Sequence, residues 1–457
     1  MPPTYRTSIF LFHRDLRLDD NRGLLFALEH SRIVLPIFIL DPRQIQSHPY
    51  QSKKGLFFLK NALLDLDEQL KNKKARLAIF FGSPSAVLMQ ILKKVQVDAL
   101  LENRDYTPFA RRRTLQLEKL CKTRSIAFHS LDDLLLHEPE AILQANSQPY
   151  RIFTHFFRNA LPRAVPIPQK CSRPHFLKFQ FDNQIQLDQR NDWFPNEHLF
   201  ISPKRSDALR QLDSVPTSES YSRSRDDPLR KTIHLSAYLK FGLISIREAH
   251  RAIRQKDAAH PMLRSLFWRD FFSHIAYRFP RVFGHSFQAP FDRLPWSDDP
   301  DNWNAWCNGQ TGFPIVDAGM RELVQTGFMH NRLRMITASF LVKDLLQDWR
   351  RGEQFFAQHL LDYDPAVNNG NWQWCASTGC DAQPFFRIFN PWRQQKKFDP
   401  DGTYIRRWIP ELQNLSPQEI HDLEIQRPQK PVAYPRPIVD HAIQAKKAIA
   451  FFRENRA

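Results

Sequence analysis

The sequence predicts an α/β plus all-α fold. Residues 1–130 read as a doubly wound parallel α/β domain, 131–203 as an inter-domain connector and 204–457 as a helical domain. Three observations carry this expectation. In the first stretch, short apolar β-rich runs alternate with helical ones. Residues 165–200 then combine Pro166, Pro168, Pro174 and Pro195 with many amides and weak periodicity, the pattern of a long surface connector. Beyond residue 204, apolar residues recur three and four apart. Tryptophan divides the same way, with nine of ten from Trp268 onward and only Trp193 before, so the two halves do different work.

Taken in order, the runs 8–18, 32–41, 75–82, 97–103 and 125–131 read as strands, and 21–31, 55–73, 83–95 and 108–123 as the helices between them. Only Gly23, Gly55 and Gly82 fall in this domain. It therefore cannot hold a G-x-G-x-x-G turn or a G-x-x-x-x-G-K-[ST] loop, and any dinucleotide is not held here in the Rossmann manner. In the second half, 234–253, 264–279, 314–324 and 332–361 read as helical runs. Asp364 before Pro365 is an N-cap and first-turn pair, and it opens a helix carrying Asn368, Trp372 and Trp374.

At 457 residues, with 42% apolar and 25% charged, the chain is long enough for two or three self-sufficient cores. The formal charge of +17 favours a polyanionic partner, nucleic acid first and an anionic membrane surface second. No run of about 20 apolar residues occurs and the first 15 residues carry charge, so the expectation is a cytoplasmic protein with no membrane span. Cysteines at 121, 171, 307, 375 and 380 are scattered and odd in number, which argues against a disulfide framework or a zinc site. His137-Glu138-Pro139 lacks the helix and the second His of a zinc protease, and no G-x-S-x-G occurs. No metal is expected.

Residues 368–390 read NNGNWQWCASTGCDAQPFFRIFN. Residues two apart on a helix point about 200° from each other, so Trp372 and Trp374 cannot face one core. An aromatic corner would explain one such pair. Nearby, MHNRLRMITASFL sets Asn331 and Met335 on one helix face with Arg332 and Arg334 beside them, a pattern that a buried Met and a solvated basic face would also produce.

Together these segments resemble the DNA photolyases of the photolyase/cryptochrome superfamily, nearly end to end. FHRDLRLDDN (12–21) is similar to their opening strand and turn, FTHFFRNAL to their inter-domain segment, and LSAYLKFG and FWRDFF to their helical signatures. The run from TGFPIVDAGMRELV through NNGNWQWCASTG is similar to bacterial class I cyclobutane pyrimidine dimer photolyases. The resemblance implies FAD, with Tyr221, Thr232, Ile233, His234, Leu235 and Ser236 around its phosphates, Arg334, Asp362, Tyr363 and Asp364 near its ring system, and Asn368 beside its reactive nitrogen. It also implies that Trp296, Trp349 and Trp372 carry electrons to the cofactor. Trp268 and Trp374 would then wall a pocket for a flipped pyrimidine dimer in DNA, with Asn331 and Met335 at its floor and Arg225 and Arg332 holding phosphates at its entrance. The implied partner is dimer-containing DNA, bound by a monomer.

Two positions depart from the pattern. Ser265 stands where dimer photolyases carry Glu and (6-4) photolyases Gln, and Ile233 replaces a serine among the phosphate-binding positions. A (6-4) photolyase needs histidines where this chain has Asn331 and Met335. The other alternative is a cryptochrome-like blue-light photoreceptor. For the antenna, RDYTPFARRR is closer to relatives that bind 8-hydroxy-deazaflavin, while methenyltetrahydrofolate stays open because Phe109 and Ala110 align where folate-binding relatives have Asn-Glu.

Overall fold

The computed structural model describes residues 4–179, 181–230, 232–426 and 431–455, so Met1, Pro2 and Pro3 of the start lie outside the described residues. Two compact units result: one runs to Ser218 and resumes over Ile233–Pro280, and the other comprises Glu219–Thr232 and the chain from Arg281.

The first unit is built on β1 (Tyr5–Phe12), α1 (Arg22–His30), β2 (Ser31–Leu40), α2 (Pro42–Ile45), α3 (Lys53–Lys71), β3 (Ala78–Phe81), α4 (Pro84–Leu92), β4 (Ala99–Asn103), α5 (Pro108–Thr123) and β5 (Ala127–Leu131). All strand pairs are parallel in the order β3-β2-β1-β4-β5, with Ile9 opposite both Leu35 and Leu100. Helices cover such a sheet on both faces, so its central strands read as unbroken apolar runs. Ile9, Leu11, Leu35, Ile37, Phe80 and Leu100 are accordingly buried together. Helix starts are capped by Asn21, Ser52 and Thr107, whose side chains accept from Leu24, Gly55 and Ala110 amides.

The apolar run 8–18 is a strand only to Phe12. The Asp15 carboxylate accepts the His13 amide at 2.6 Å and turns the chain out of the sheet, so that Leu16 N–H donates instead to the Phe241 carbonyl. The connector also does more than wrap the surface. It holds α6 (Phe153–Ala160), and it sinks Phe176, Phe181 and Phe194 into the unit.

Helices α7 (Arg205–Asp213), α9 (Leu235–Phe241), α10 (Ile246–Lys256) and α11 (Leu263–Arg278) belong to this unit as well, while α8 (Ser218–Ser224) crosses its edge. The contact division thus groups Ile233–Pro280 with the sheet. The reason is a buried ionic junction: Arg17 and Arg247 both donate to the Asp133 carboxylate, at 2.5 and 2.6 Å, and Arg247 also reaches Asp20 at 3.0 Å. Gly242, at φ +70°, ends α9 directly against this junction, and a Cβ there would lie 2.1 Å from the Arg14 carbonyl oxygen.

The second unit holds α12 (Pro300–Asn308), α13 (Pro314–Thr326), α14 (Asn331–Ser339), α15 (Trp349–His359), α16 (Pro365–Ala376), α17 (Pro391–Phe398), α18 (Thr403–Trp408), α19 (Pro417–His421) and α20 (His441–Glu454). The run 332–361 is not one helix. After α14 the chain makes a π turn over Phe340–Asp344, in which Leu345 N–H donates to the Phe340 carbonyl, and Leu346 then takes φ +51°. Asp348 caps the new start by accepting the Arg350 amide. The core of the unit gathers Trp306, Trp349, Phe356 and Trp372. No helix among the described residues is long and apolar enough to cross a membrane.

Candidate cofactor and nucleic-acid site

Helix α16 is the backbone of the site in the second unit. The Asp364 carboxylate accepts the Ala366 and Val367 amides at 3.1 and 3.2 Å, as expected of an N-cap before proline. One turn on, Asn368 is buried and donates from Nδ2 to the Glu353 carbonyl at 3.0 Å, which fixes the orientation of its amide. Trp372 is 2% exposed and Trp374 half-buried, so the two indoles take different faces as the helical period requires. Between them Gln373 donates to the carbonyls of Val282 and His285, both at 3.1 Å, and locks the helix rotation.

The other tryptophans approach α16 from the elements around the π turn. Trp349 opens α15, fully buried, and Gly352 lies one turn further along the same helix. A Cβ on Gly352 would fall 2.3 Å from the Trp372 ring, so only glycine lets that indole rest on the α15 backbone. Trp372 also meets Phe356 edge-on at 4.9 Å and Trp306 at 6.2 Å. The Ser297–Gln347 bridge carries Trp296 alongside the segment leading into Trp349. Both Trp296 and Trp349 keep a buried indole N–H with no partner among the described residues. Buried indoles usually find an acceptor.

Arg334 on α14 donates to the Met329 carbonyl at 2.8 Å and to Asp362 Oδ2 at 3.0 Å. The other Asp362 oxygen is buried with no partner among the described residues, and Tyr363 lies between Asp362 and the Asp364 cap. At the start of α14, His330 accepts the Arg332 amide, and burial pulls its imidazole down to about 4, so it is neutral at physiological pH. Asn331 is exposed, and its amide nitrogen lies 3.8 Å from the Met335 sulfur. Arg332 donates to Asp226 at 2.8 Å and sits over the Phe398 ring at 4.5 Å. Arg225 is exposed on the same short segment, 5.9 Å from the Tyr221 ring, and Thr232 closes that segment.

The remaining expected residues lie on the first unit. His234, at φ +45°, precedes α9, whose first turn has no side-chain cap; Ile233, Leu235 and Ser236 flank it. On α11, Ser265 is exposed and Trp268 is half-buried. One face of Trp268 is taken by Phe153, stacked at 3.7 Å and 7°, and Arg264 lies over that Phe153 ring at 4.9 Å.

Sequence reasoning did not single out Gly352, Asp226 or Phe153. Gly352 carried a legible signal, an isolated glycine inside a helical pattern, which marks close packing. The partners of Asp226 and Phe153 are 106 and 115 positions away, so no local pattern reveals them.

Residues 8–174 match the family described as DNA photolyase, and residues 262–454 the FAD binding domain of DNA photolyase. A deoxyribodipyrimidine photo-lyase from Synechococcus is 37% identical, covering 98% of this chain and 97% of that protein. The Escherichia coli protein of the same name is 36% identical, covering 98% of this chain and 99% of its own. Among solved structures, an archaeal photolyase from Sulfolobus tokodaii, described with two FAD molecules, superposes with a TM-score of 0.90 at 39% identity, over 98% of this chain and 100% of that one. A Synechocystis cryptochrome superposes at 0.89 with 26% identity, over 99% and 100% of the two chains.

Proposed function

We propose that this chain, which belongs to the DNA photolyase family, is a deoxyribodipyrimidine photo-lyase that repairs cyclobutane pyrimidine dimers in DNA under blue light. The observation that carries the proposal is the division of labour on α16, where Trp372 is buried against Gly352 while Trp374 stays half-exposed. One indole is committed to the interior and the other is left for a ligand.

The residues present fit FAD. Asp362 offers a buried carboxylate oxygen that lacks a donor, and Asn368 holds an oriented amide one helical turn after the Asp364 cap. When bound and reduced, FAD supplies the photo-excited electron that opens the cyclobutane ring and recovers it afterwards, so there is no net redox change. Arg334 is held by Asp362 at 3.0 Å and sets the charge beside the ring system; Tyr363 packs against the core there. On the second unit Tyr221 and Thr232 offer hydroxyl groups for the phosphates; separately, on the first unit, Ile233, His234, Leu235 and Ser236 offer backbone donors and the Ser236 hydroxyl. Ile233 loses a hydroxyl but keeps its amide.

Trp296, Trp349 and Trp372 pass electrons inward by single steps, and the lack of hydrogen-bond partners at Trp296 Nε1 and Trp349 Nε1 suits indoles used for redox work. Trp374, and separately the half-buried Trp268, stack flipped bases, each contact contributing about 1–3 kcal/mol. Asn331 and Met335 line the floor beneath Trp374. Arg225 and Arg332 take backbone phosphates, consistent with the formal +17. Ser265 supplies one hydroxyl hydrogen bond in place of a carboxyl group. The protein acts as a cytoplasmic monomer without a metal, with 8-hydroxy-deazaflavin, or else methenyltetrahydrofolate, as antenna.

Purified protein should carry about one non-covalent FAD per chain, and illumination should clear dimers from a damaged oligonucleotide. Trp349→Phe should slow photoreduction of the oxidised cofactor at least tenfold, roughly the effect of a 1.4 kcal/mol penalty on the hop, while chemically reduced protein keeps its repair rate. Flavin-loaded, reduced protein that clears no dimers would favour the photoreceptor reading instead.

A further inference from the structure

The π turn carries two buried ionisable side chains that the proposed mechanism does not use. Lys343 is 1% exposed and Asp344 fully buried. Lys343 Nζ donates to Ser377 Oγ at 2.9 Å, just past the end of α16, and rests on the Phe452 ring at 3.6 Å. The same phenylalanine meets Trp296 edge-on at 5.9 Å, and Trp296 also lies against Phe451 at 5.3 Å. Asp344 Oδ1 is 2.5 Å from His441 Nδ1, and its second oxygen has no partner among the described residues.

A purely structural lysine would cap α16, since a cation near a helix C-terminus is favourable. That role alone does not require an ammonium group to be sealed against a phenyl ring beside an indole with an unpaired N–H. We infer that Lys343 is a positioning residue for the outer tryptophan, setting by its charge how readily Trp296 gives up an electron. The inference rests on the proposed cofactor reading and names the residue that tunes its electron supply.

The step is a single electron transfer. Trp296 is oxidised by one electron and Trp349, which has itself lost one to Trp372, is reduced by one; an external one-electron donor such as ferrocyanide then restores Trp296, and no bond is broken. A positive charge on Lys343, one aromatic ring away and poorly screened, opposes the positive charge that Trp296 must acquire. The elements packed on the turn are α14, α15, α16 and α20. Arg332 and Arg334 on α14 are paired with Asp226 and Asp362; on α15, Arg350 and Arg351 are paired with Asp292 and Asp298, Glu353 is buried and His359 bonds the Phe355 carbonyl; Cys375 on α16 is pushed by burial up to about 12 and stays a neutral thiol; on α20, His441 is engaged with Asp344 while Lys446, Lys447, Arg453 and Glu454 are exposed. Beside Trp296, Asp292 is paired with Arg350 at 2.6 Å.

Burial pulls Lys343 down to about 7 and pushes Asp344 up to about 6, so rising pH makes the turn more negative at both positions. The signs in stability differ. The folded protein releases the Lys343 proton at about pH 7, while the unfolded chain holds it into the usual lysine range, so stability contributed here rises with pH above about 7. Asp344 binds its proton more tightly when folded, so its contribution falls as pH climbs from about 4 to about 6 and is flat beyond.

The test uses FAD-loaded full-length protein with ferrocyanide as donor, following flavin photoreduction between pH 6.5 and 9, alongside thermal stability over the same range. Parent protein should photoreduce roughly two- to tenfold faster at the alkaline end. Lys343→Met should be flat and near the parent's alkaline rate, and Lys343→Arg flat and near its acid rate. The stability rise above pH 7 should vanish in Lys343→Met. If Lys343→Met does not fold, Lys343→Arg and the parent profiles still decide the matter, since a pH-dependent Lys343→Arg rate overturns the inference. So does a Lys343→Met profile identical to the parent's when Trp349→Phe still slows photoreduction. A parent that binds no FAD, or photoreduces equally well as Trp349→Phe, overturns the cofactor reading and this inference with it.

Discussion

The two units differ in which buried polar groups they leave open. In the first, the large buried charges find each other: Arg17, Arg247, Asp133 and Asp20 form one network across the sheet and the helices that follow. Two guanidinium groups share the Asp133 carboxylate and hold it down at about 2 against the opposing effect of burial. Among the described residues both units also leave buried polar atoms without partners: Arg17 Nε, Arg113 Nε and His137 Nε2 are among those in the first, and Trp296 Nε1, Trp349 Nε1, Asp344 Oδ2 and Asp362 Oδ1 among those in the second. Buried polar groups are normally satisfied, because desolvation costs more than a hydrogen bond returns. In the first unit the open atoms belong to arginine and histidine side chains, whereas in the second they include indole N–H groups and carboxylate oxygens, the kinds of atom that the proposed cofactor reading draws on.

The largest effect expected from breaking this contrast lies in the first unit. Arg247→Ala leaves Asp133 with Arg17 as its one arginine partner and Asp20 with Ser245 but no guanidinium from α10, and removal of one partner from a buried pair costs about 3–5 kcal/mol. Chemical denaturation should show that loss, together with a pH dependence absent from the parent, because Asp133 would titrate at a higher pH once an arginine is gone. A loss under about 1 kcal/mol would mean that water replaces the guanidinium and that the network is not what holds α10 in place.

A smaller effect is expected where the second unit is packed most tightly. Gly352→Ala sets a methyl group 2.3 Å from the Trp372 ring, and overpacking of this kind costs about 1–3 kcal/mol, partly offset by the better helix propensity of alanine. Trp372 has to shift, so flavin photoreduction should fall by more than the change in stability accounts for. If photoreduction stays unchanged while the protein is destabilised, the Gly352–Trp372 contact is packing alone.

Much of this was legible before any coordinates. The five strands and their alternation with helices follow from short apolar runs alternating with helical ones, a local signal. Trp372 and Trp374 diverge because the helical period is rigid. The break inside 332–361 was not legible, because a π turn keeps apolar residues in nearly helical spacing and nothing about Leu346 announces φ +51°. The attachment of 233–280 to the sheet was hidden for another reason: it depends on Arg247 reaching Asp133 and Asp20, more than 100 positions away. In the site, the family resemblance pointed to Arg334, Asp362 and Asn368, whereas the pairing of Arg332 with Asp226 needed the fold.

That last pair gives the smallest predicted effect and the sharpest contrast with Arg247. Arg332 and Asp226 meet at 2.8 Å, but the Asp226 side chain is 43% exposed, so solvent screens the pair and Phe398 keeps the guanidinium in place without it. Exposed pairs contribute about 0–1 kcal/mol, and Asp226→Asn should leave the midpoint of denaturation within that margin. Its consequence should appear in DNA binding. If Arg332 takes a phosphate, the parent must loosen an ion pair to bind, and Asp226→Asn removes both that competition and a like charge facing the nucleic acid. Affinity for a dimer-containing duplex should rise about two- to fivefold at low salt, and the slope of log affinity against log salt should steepen by up to about one phosphate's worth. The control is Arg332→Ala, which should lose affinity across all sequences and flatten that slope. An Asp226→Asn protein that is destabilised by more than about 2 kcal/mol would show the pair to be structural after all, and Arg332 would then belong with Arg247 rather than with the DNA.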